Sequence, residues 1–322
     1  MDGKFDEMVI LAGSSNEPLA QEIADELGKR LIEREIKHFA DGETYVQILE
    51  TVRGKDVFYV QGGNKPVNDN FMEMLITLDA LRRASAGRIN VVMPYYGYAR
   101  QDRKDKPRVP ITAKLVANMI TVAGADRVIT ADLHSEQIQG FFDIPLDLLQ
   151  AMPLIADYIG EHNMDKENLV VVSPDVGSVK RSRALAEKLG VPLAIVDKRR
   201  PKQNVAEVMN VIGDIQGKDV IMLDDIVDTG GTLMGGAAAL KKMGAKSIIA
   251  ACTHGLLNGN ATERLRDSEI DKFIMTNTVP LPEEKKIDKL EVVSIAPLFA
   301  KVIQSIHDEK PLSDLFVDSP FK

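Results

Sequence analysis

Short runs rich in Val and Ile, without regular polar alternation, recur along the chain at residues 8–11, 56–60, 89–93, 127–130, 168–172, 193–196, 220–223, 247–252, 272–275 and 291–295. Gly, Pro, Asp or Asn bound them, and such runs read as strands ended by turn residues. Between them, apolar residues recur at helical spacing over 17–27, 70–84, 111–122, 152–162, 180–189, 233–243 and 298–307. Gly28, Gly124, Gly190 and Gly244 follow four of these segments, where a helix C-terminus favours positive φ. Strands that lack polar alternation are covered on both faces. Alternating β and α segments therefore predict an α/β protein with mainly parallel sheets flanked by helices.

Residues 9–28 and 171–190 repeat one grammar: strand, small-residue turn, helix, glycine. In a gapless register Ala24, Leu27 and Gly28 fall on Ala186, Leu189 and Gly190. A chain of 322 residues is long enough for two domains. The repeat predicts a boundary near residue 150, giving 1–150 and 151–322. The C-terminal segment is separately expected to pack on the first domain.

Composition narrows the function classes. Lys+Arg total 40 against 48 Asp+Glu, a net charge of −8, which argues against a nucleic-acid-coating protein. Trp is absent and aromatics are few, so a stacking platform for single strands is not expected. The single cysteine, Cys252, excludes a disulfide framework and a cysteine-based zinc site, and reads as a small buried hydrophobe. The first residues are acidic where a signal peptide is basic, and no apolar stretch nears the ~18 residues that span a bilayer. The expectation is a cytoplasmic protein with no membrane and no nucleic-acid partner.

The segment richest in chemistry is 220–232, VIMLDDIVDTGGT. An apolar strand runs into Asp224 and Asp225, then Asp228, Thr229, Gly230, Gly231 and Thr232, then a helix starting near Leu233. Ligands of open parallel sheets bind at the carboxyl edge of the strands. A glycine pair before a helix N-terminus offers free N–H groups to a phosphate. The carboxylates suit sugar hydroxyls instead, so a sugar phosphate fits both halves. The plainer reading is an Asp-rich helix cap. Elsewhere the residues leave two readings open. His134, beside Asp132, is structural or functional; Asp143 and Asp147 are further candidate carboxylates. Phe39 is core or an apolar face for a base, and Lys198-Arg199-Arg200 is a solvated charge run or a cationic lid. No GxxxxGK[ST] loop is present.

VIMLDDIVDTGGT resembles the phosphoribosyl-pyrophosphate signature of type I phosphoribosyltransferases. With PYYGYARQDRK (94–104), RVPITAK (108–114), TADLHSEQIQGFFD (130–143), SPDVG (173–177) and IVDKRRP (195–201), the chain resembles the ribose-phosphate pyrophosphokinases. The resemblance implies two phosphoribosyltransferase-like domains, the first degenerate. It implies transfer of the diphosphoryl group of ATP to the 1-hydroxyl of ribose 5-phosphate, with Mg²⁺, for nucleotide biosynthesis. It assigns Phe39, Asp41, Gly42, Glu43, Arg100 and Gln101 to ATP, in a site between subunits. Asp224, Asp225, Asp228, Thr229, Gly230, Gly231 and Thr232 fall to ribose 5-phosphate. Lys198, Arg200 and His134 become catalytic, and His134, Asp175 and Asp132 lie at the metal. Phosphate and ADP become effectors at a site with Arg53, Ser313 and Phe316, and the assembly a homohexamer. A salvage phosphoribosyltransferase would need only one such domain, and a non-catalytic associated subunit would have lost these loops. Three departures stand out: Ala40 for Ser, Pro311 for Ser, and Ser178 for a glycine. Ser178 would be strained if the position requires positive φ.

Overall fold

The structure, a computed structural model, describes residues 5, 7–162, 166–174, 177–199 and 208–313, with backbone alone at 197–199 and 208–209. Its residues form two compact units. One holds the described residues up to 150 with 278–280 and 294–313, the other 151–277 with 281–293.

The first unit runs β1 (Met8–Ala12), α1 (Glu17–Glu26), β2 (Arg34–His38), β3 (Thr44–Ile48), β4 (Asp56–Val60), α2 (Val67–Arg83), β5 (Arg88–Met93), α3 (Thr112–Ala123), β6 (Arg127–Ala131) and β7 (Leu146–Leu149). Its main sheet has the order β1-β4-β5-β6-β7, and every neighbouring pair is parallel. Strands β2 and β3 form a separate antiparallel hairpin. The second unit runs α4 (Met152–Glu161), β8 (Leu169–Ser173), α5 (Val179–Leu189), β9 (Leu193–Arg199), β10 (Val208–Ile212), β11 (Asp219–Val227), α6 (Gly231–Lys242), β12 (Ser247–Gly255), α7 (Ala261–Arg266), β13 (Lys272–Thr276) and β14 (Leu290–Val293). Its sheet has the order β10-β9-β8-β11-β12-β13-β14, with only β10 antiparallel. The last helix, α8 (Ala296–His307), belongs to the first unit.

The apolar runs form strands because both faces of each sheet are covered. In β11, Val220 and Met222 pack with Leu233, Ala237 and Leu240 of α6. The alternate residues Ile221 and Leu223 pack with Ile155 of α4 and Leu185 of α5. Cys252 lies fully buried on the α6 side, and burial pushes its thiol well above the usual range. Gly28, Gly124, Gly190 and Gly244 all adopt positive φ after their helices.

The internal repeat extends further than residues 171–190. Strand β1, α1, the β2–β3 pair, β4, α2, β5, α3, β6 and β7 follow the same order as β8, α5, the β9–β10 pair, β11, α6, β12, α7, β13 and β14. A parallel bridge from Ile10 to Leu31 puts the approach to β2 beside β1, as β9 lies beside β8. In each half the helix after the last strand joins the other unit: α4 packs on α5, and α8 packs on α1.

Helix α8 buries Phe299, Val302, Ile303 and Ile306. Ser294 just before it donates to the Glu22 carboxylate of α1. At its other end His307 Nδ1 donates to Asp56 Oδ2 at 2.9 Å. Asp56 is fully buried and also accepts from Arg88 Nε at 2.8 Å and from Asn90 Nδ2 at 2.8 Å.

Candidate functional site

Strand β8 pairs with β11 only as far as Met222, whereas β12 continues beside β11 to Val227 and Gly255. The pair therefore extends past its neighbour at the carboxyl edge. Asp224 and Asp225 lie within β11, not beyond a strand ending at residue 223. Continued pairing with β12, from Asp224 opposite Cys252 to Val227 opposite Gly255, keeps this acidic stretch extended.

The strand ends at Val227 and α6 begins four residues later. Gly230 takes φ 70°, a left-handed backbone that favours glycine at this turn. The first turn of α6 has neither a side-chain cap nor an acidic residue, which leaves its N–H groups facing outward for an anion. Thr229 and Thr232 are exposed beside it. The Asp-rich helix cap is thereby excluded for α6.

The acidic pair is asymmetric. Asp225 is nearly buried and accepts from Arg181 Nη1 at 3.0 Å. Asp224 stands 3.8 Å from the same guanidinium and accepts the Asp225 N–H at 2.9 Å. Burial first, and then the neighbouring Asp225 carboxylate, push the Asp224 carboxyl up to about 7. Asp228 accepts from Asn258 Nδ2 at 2.8 Å. Sequence reasoning missed Arg181 and Asn258. The signal for Arg181 was a basic residue in the first turn of α5, where the helix dipole disfavours one unless an anion faces it.

The matching edge of the first unit is filled by its own side chains. Glu73 of α2 is buried and accepts from Ser14 N at 2.8 Å and from Gln61 Nε2 at 3.0 Å. Gln61 Oε1 accepts from Ser15 N at 3.0 Å, and Ser15 Oγ accepts from Gly62 N at 2.6 Å. A Cβ on Gly13 would fall 2.2 Å from Gln61 Oε1. The backbone donors of Ser14, Ser15 and Gly62 are thus taken by side chains of the same unit.

Other predicted residues divide between places. Phe39, Asp41, Gly42 and Glu43 form the tip between β2 and β3. Phe39 is 56% exposed, which excludes the core reading, and its ring meets Tyr45 edge-on at 6.1 Å. Asp41 Oδ1 accepts from Glu43 N at 3.1 Å, and Gly42 takes φ 94°. Arg100 and Gln101 are exposed in the segment after β5, at the carboxyl edge of the first unit's sheet. Asp132 and His134 follow β6 at that same edge. His134 is exposed and stands three residues past the strand end rather than on it, while Asp132 holds φ 33°, a conformation unusual for a non-glycine residue.

Asp147 leaves the candidate set: Arg127 Nη1 holds it at 2.5 Å near the opposite, amino edge of the sheet. Asp143 is exposed, with Lys114 Nζ at 3.7 Å. Arg53 precedes β4 at the amino edge, and Ser313 follows α8; both are exposed. Lys198 lies within β9, which continues three residues past the strand end expected at 196 because β10 pairs with it. Ser178 takes φ −88°, so serine is unstrained there. Asp175, Arg200 and Phe316 lie outside the described residues. Among the described residues no group of three or more His, Cys, Asp or Glu side chains could hold a metal, and no helix is long and apolar enough to cross a membrane.

Comparison with known proteins meets this geometry. Residues 8–124 match the family described as the N-terminal domain of ribose phosphate pyrophosphokinase, and residues 198–317 the phosphoribosyl synthetase-associated domain. A ribose-phosphate pyrophosphokinase of Fusobacterium nucleatum is 54% identical over 97% of this chain and 99% of its own length. That of Caldanaerobacter subterraneus is 58% identical over 95% and 97%. The crystal structure of phosphoribosylpyrophosphate synthetase from Mycobacterium smegmatis superposes with a TM-score of 0.89 at 44% identity, covering 94% of this chain and 99% of that one. Two family models along the chain and full-length identity above half lead to one conclusion: the chain belongs to the ribose-phosphate pyrophosphokinase family, enzymes that transfer the diphosphoryl group of ATP to ribose 5-phosphate.

Proposed function

We propose that this chain performs its family's reaction with ribose 5-phosphate seated at the carboxyl edge of β11 and β12. The observation that carries this reading is the carboxylate pair, Asp224 and Asp225, beside the uncapped N-terminus of α6. The carboxylates and Asp228 accept hydrogen bonds from ribose hydroxyls. Thr229, Gly230, Gly231 and Thr232 give hydroxyl and backbone donors to the 5-phosphate.

Phe39 offers its exposed ring to adenine, and Asp41, Gly42 and Glu43 shape the tip around it. Arg100 and Gln101 reach the phosphates from the segment after β5, and a homohexamer places this ATP site between subunits. In the reaction the 1-hydroxyl oxygen bonds to the β-phosphorus as the bridge between the α- and β-phosphates breaks; AMP departs with the bridging oxygen and the hydroxyl proton is released to water. The chain supplies charge stabilisation rather than a covalent nucleophile: Lys198 and Arg200 as cations over the triphosphate, His134 as a hydrogen-bonding partner of its oxygens.

The donor set fits Mg²⁺ held mainly by phosphates and water, since the described residues contain no protein cage and the ion takes few carboxylates. Asp132, His134 and, through water, Asp175 would hold it, and bound Mg²⁺ would neutralise the triphosphate charge. Arg53, Ser313 and Phe316 form the site for phosphate and ADP as effectors, and the protein works in the cytoplasm.

The test is product identity. Purified chain incubated with ATP, ribose 5-phosphate and Mg²⁺ yields AMP and 5-phosphoribosyl 1-pyrophosphate in equal amounts. ADP formed in step with ribose 5-phosphate consumption would contradict the assignment.

A further inference from the structure

The loop between β12 and α7 braces the turn that opens α6. Leu256 N and Leu257 N both donate to Val227 O, at 2.9 and 3.2 Å. Asn258 N donates to Asp228 O at 3.0 Å, while its side chain holds the Asp228 carboxylate. Leu257 is fully buried at φ 45°, a left-handed backbone that a leucine adopts only when its surroundings enforce it. This constrained loop delivers Arg264 of α7. Its Nη1 donates to Thr229 O at 3.4 Å, and its Nη2 lies 3.3 Å from where a Cβ on Gly231 would stand. The guanidinium therefore sits against the first residue of α6, whose N–H groups carry no side-chain cap. It is exposed, and among the described residues no carboxylate lies within ion-pair distance of it.

A cation so placed has two physical readings. It braces the Thr229 carbonyl, or it awaits an anion at the helix N-terminus. A single 3.4 Å bond to a neutral carbonyl uses one of its five donors. The remaining fork suits the bidentate geometry of phosphate oxygens. We propose that Arg264 is a further substrate-binding residue, one that reads the dianionic 5-phosphate of the sugar together with the backbone donors of α6. This inference rests on the placement of ribose 5-phosphate at the edge of β11 and adds a side-chain cation to a phosphate site otherwise built from hydroxyls and N–H groups. A phosphomonoester at C5 is then selected by charge as well as by shape, and the unphosphorylated sugar is rejected.

The experiment is steady-state kinetics on Arg264→Gln and Arg264→Lys beside wild type, varying ribose 5-phosphate and ATP separately, with Asp225→Asn as a reference. Losing a charge-assisted hydrogen bond to phosphate should raise KM for ribose 5-phosphate about tenfold to a hundredfold in Arg264→Gln. Arg264→Lys should recover part of that loss, because charge remains while the fork is gone. KM for ATP should change less than about twofold in both variants. An unchanged KM for ribose 5-phosphate in Arg264→Gln, with a raised one in Asp225→Asn, would overturn this inference alone. Equal KM values in all variants would overturn the sugar-phosphate placement as well. If KM for both substrates rises together, or Lys behaves as Gln does, Arg264 is only a loop brace and the proposal fails. The residue is on the surface, so thermal melts of both variants should overlay wild type.

Discussion

Asp224 illustrates how a binding site trades stability for recognition. Its carboxyl is pushed up to about 7 by burial and by Asp225, whereas an unfolded chain titrates it near the ordinary ~3.9. The folded state thus holds the proton more tightly. The favourable contribution is complete below the unfolded value and is lost as pH rises through about 7. Asp224→Asn, permanently neutral, should therefore stabilise the ligand-free protein at pH 8. We expect about 1–2 kcal/mol, below the full linkage value because part of the side chain meets water, with the gain vanishing near pH ~4. Urea unfolding at both pH values checks this. Asp225→Asn should do the reverse, since it removes the nearer of the two carboxylate charges beside Arg181. Both variants should lose about tenfold to a hundredfold in kcat/KM for ribose 5-phosphate. A destabilised Asp224→Asn at pH 8 would show that the carboxylate is not under strain.

At the scale of elements, the β2–β3 hairpin carries its most exposed aromatic at its tip. Phe39→Ala should raise KM for ATP about tenfold, the worth of one base–aromatic stack, while the melting temperature holds. An unchanged KM would return Phe39 to an ordinary surface role. This hairpin was not legible as strands. Arg34–His38 and Thr44–Ile48 are charged or polar at every other position or more, half-exposed, and paired only with each other. The main strands were legible because burial on both faces leaves an unbroken apolar run, as in β1, β4 and β8. The same rule misled at β11: Asp224-Asp225 reads as the end of a strand, yet backbone pairing with β12 carries on regardless of side-chain polarity. Asp147 misled in the opposite way. A carboxylate close in sequence to His134 looked like part of one site, but the turn into β7 carries it toward the amino edge, where Arg127 neutralises it. Motif order singled out the acidic stretch and glycine turn after β11; the cations beside them, Arg181 and Arg264, come from helices with no motif of their own.

At the scale of the molecule, the two halves share one topology but not one fate. In the first unit, Glu73 and Gln61 take the Ser14 and Ser15 N–H groups after β1. The first unit also depends on the end of the chain. Asp56, fully buried, takes hydrogen bonds from Arg88, Asn90 and His307 at once. Asp56→Ala would remove the acceptor all three share, leaving Arg88 the Ile306 carbonyl and Asn90 the Val57 carbonyl, and should destabilise this unit by about 3 kcal/mol, measurable by chemical denaturation. A loss under about 1 kcal/mol would mean water replaces the carboxylate at little cost. The placement of α8 has a further consequence during synthesis. Residues 1–150 leave the ribosome first, but the helix that covers Leu19 and Ile23 of α1 spans 296–307. At ~5–20 residues per second, the apolar face of α1, complete at Glu26, waits about 14–56 s for α8 to be finished at His307. The described elements of the second unit, which end at Val293, are all translated before that cover emerges. The half made first is therefore the half finished last, and a nascent chain stalled before residue 296 should expose this face to chaperones.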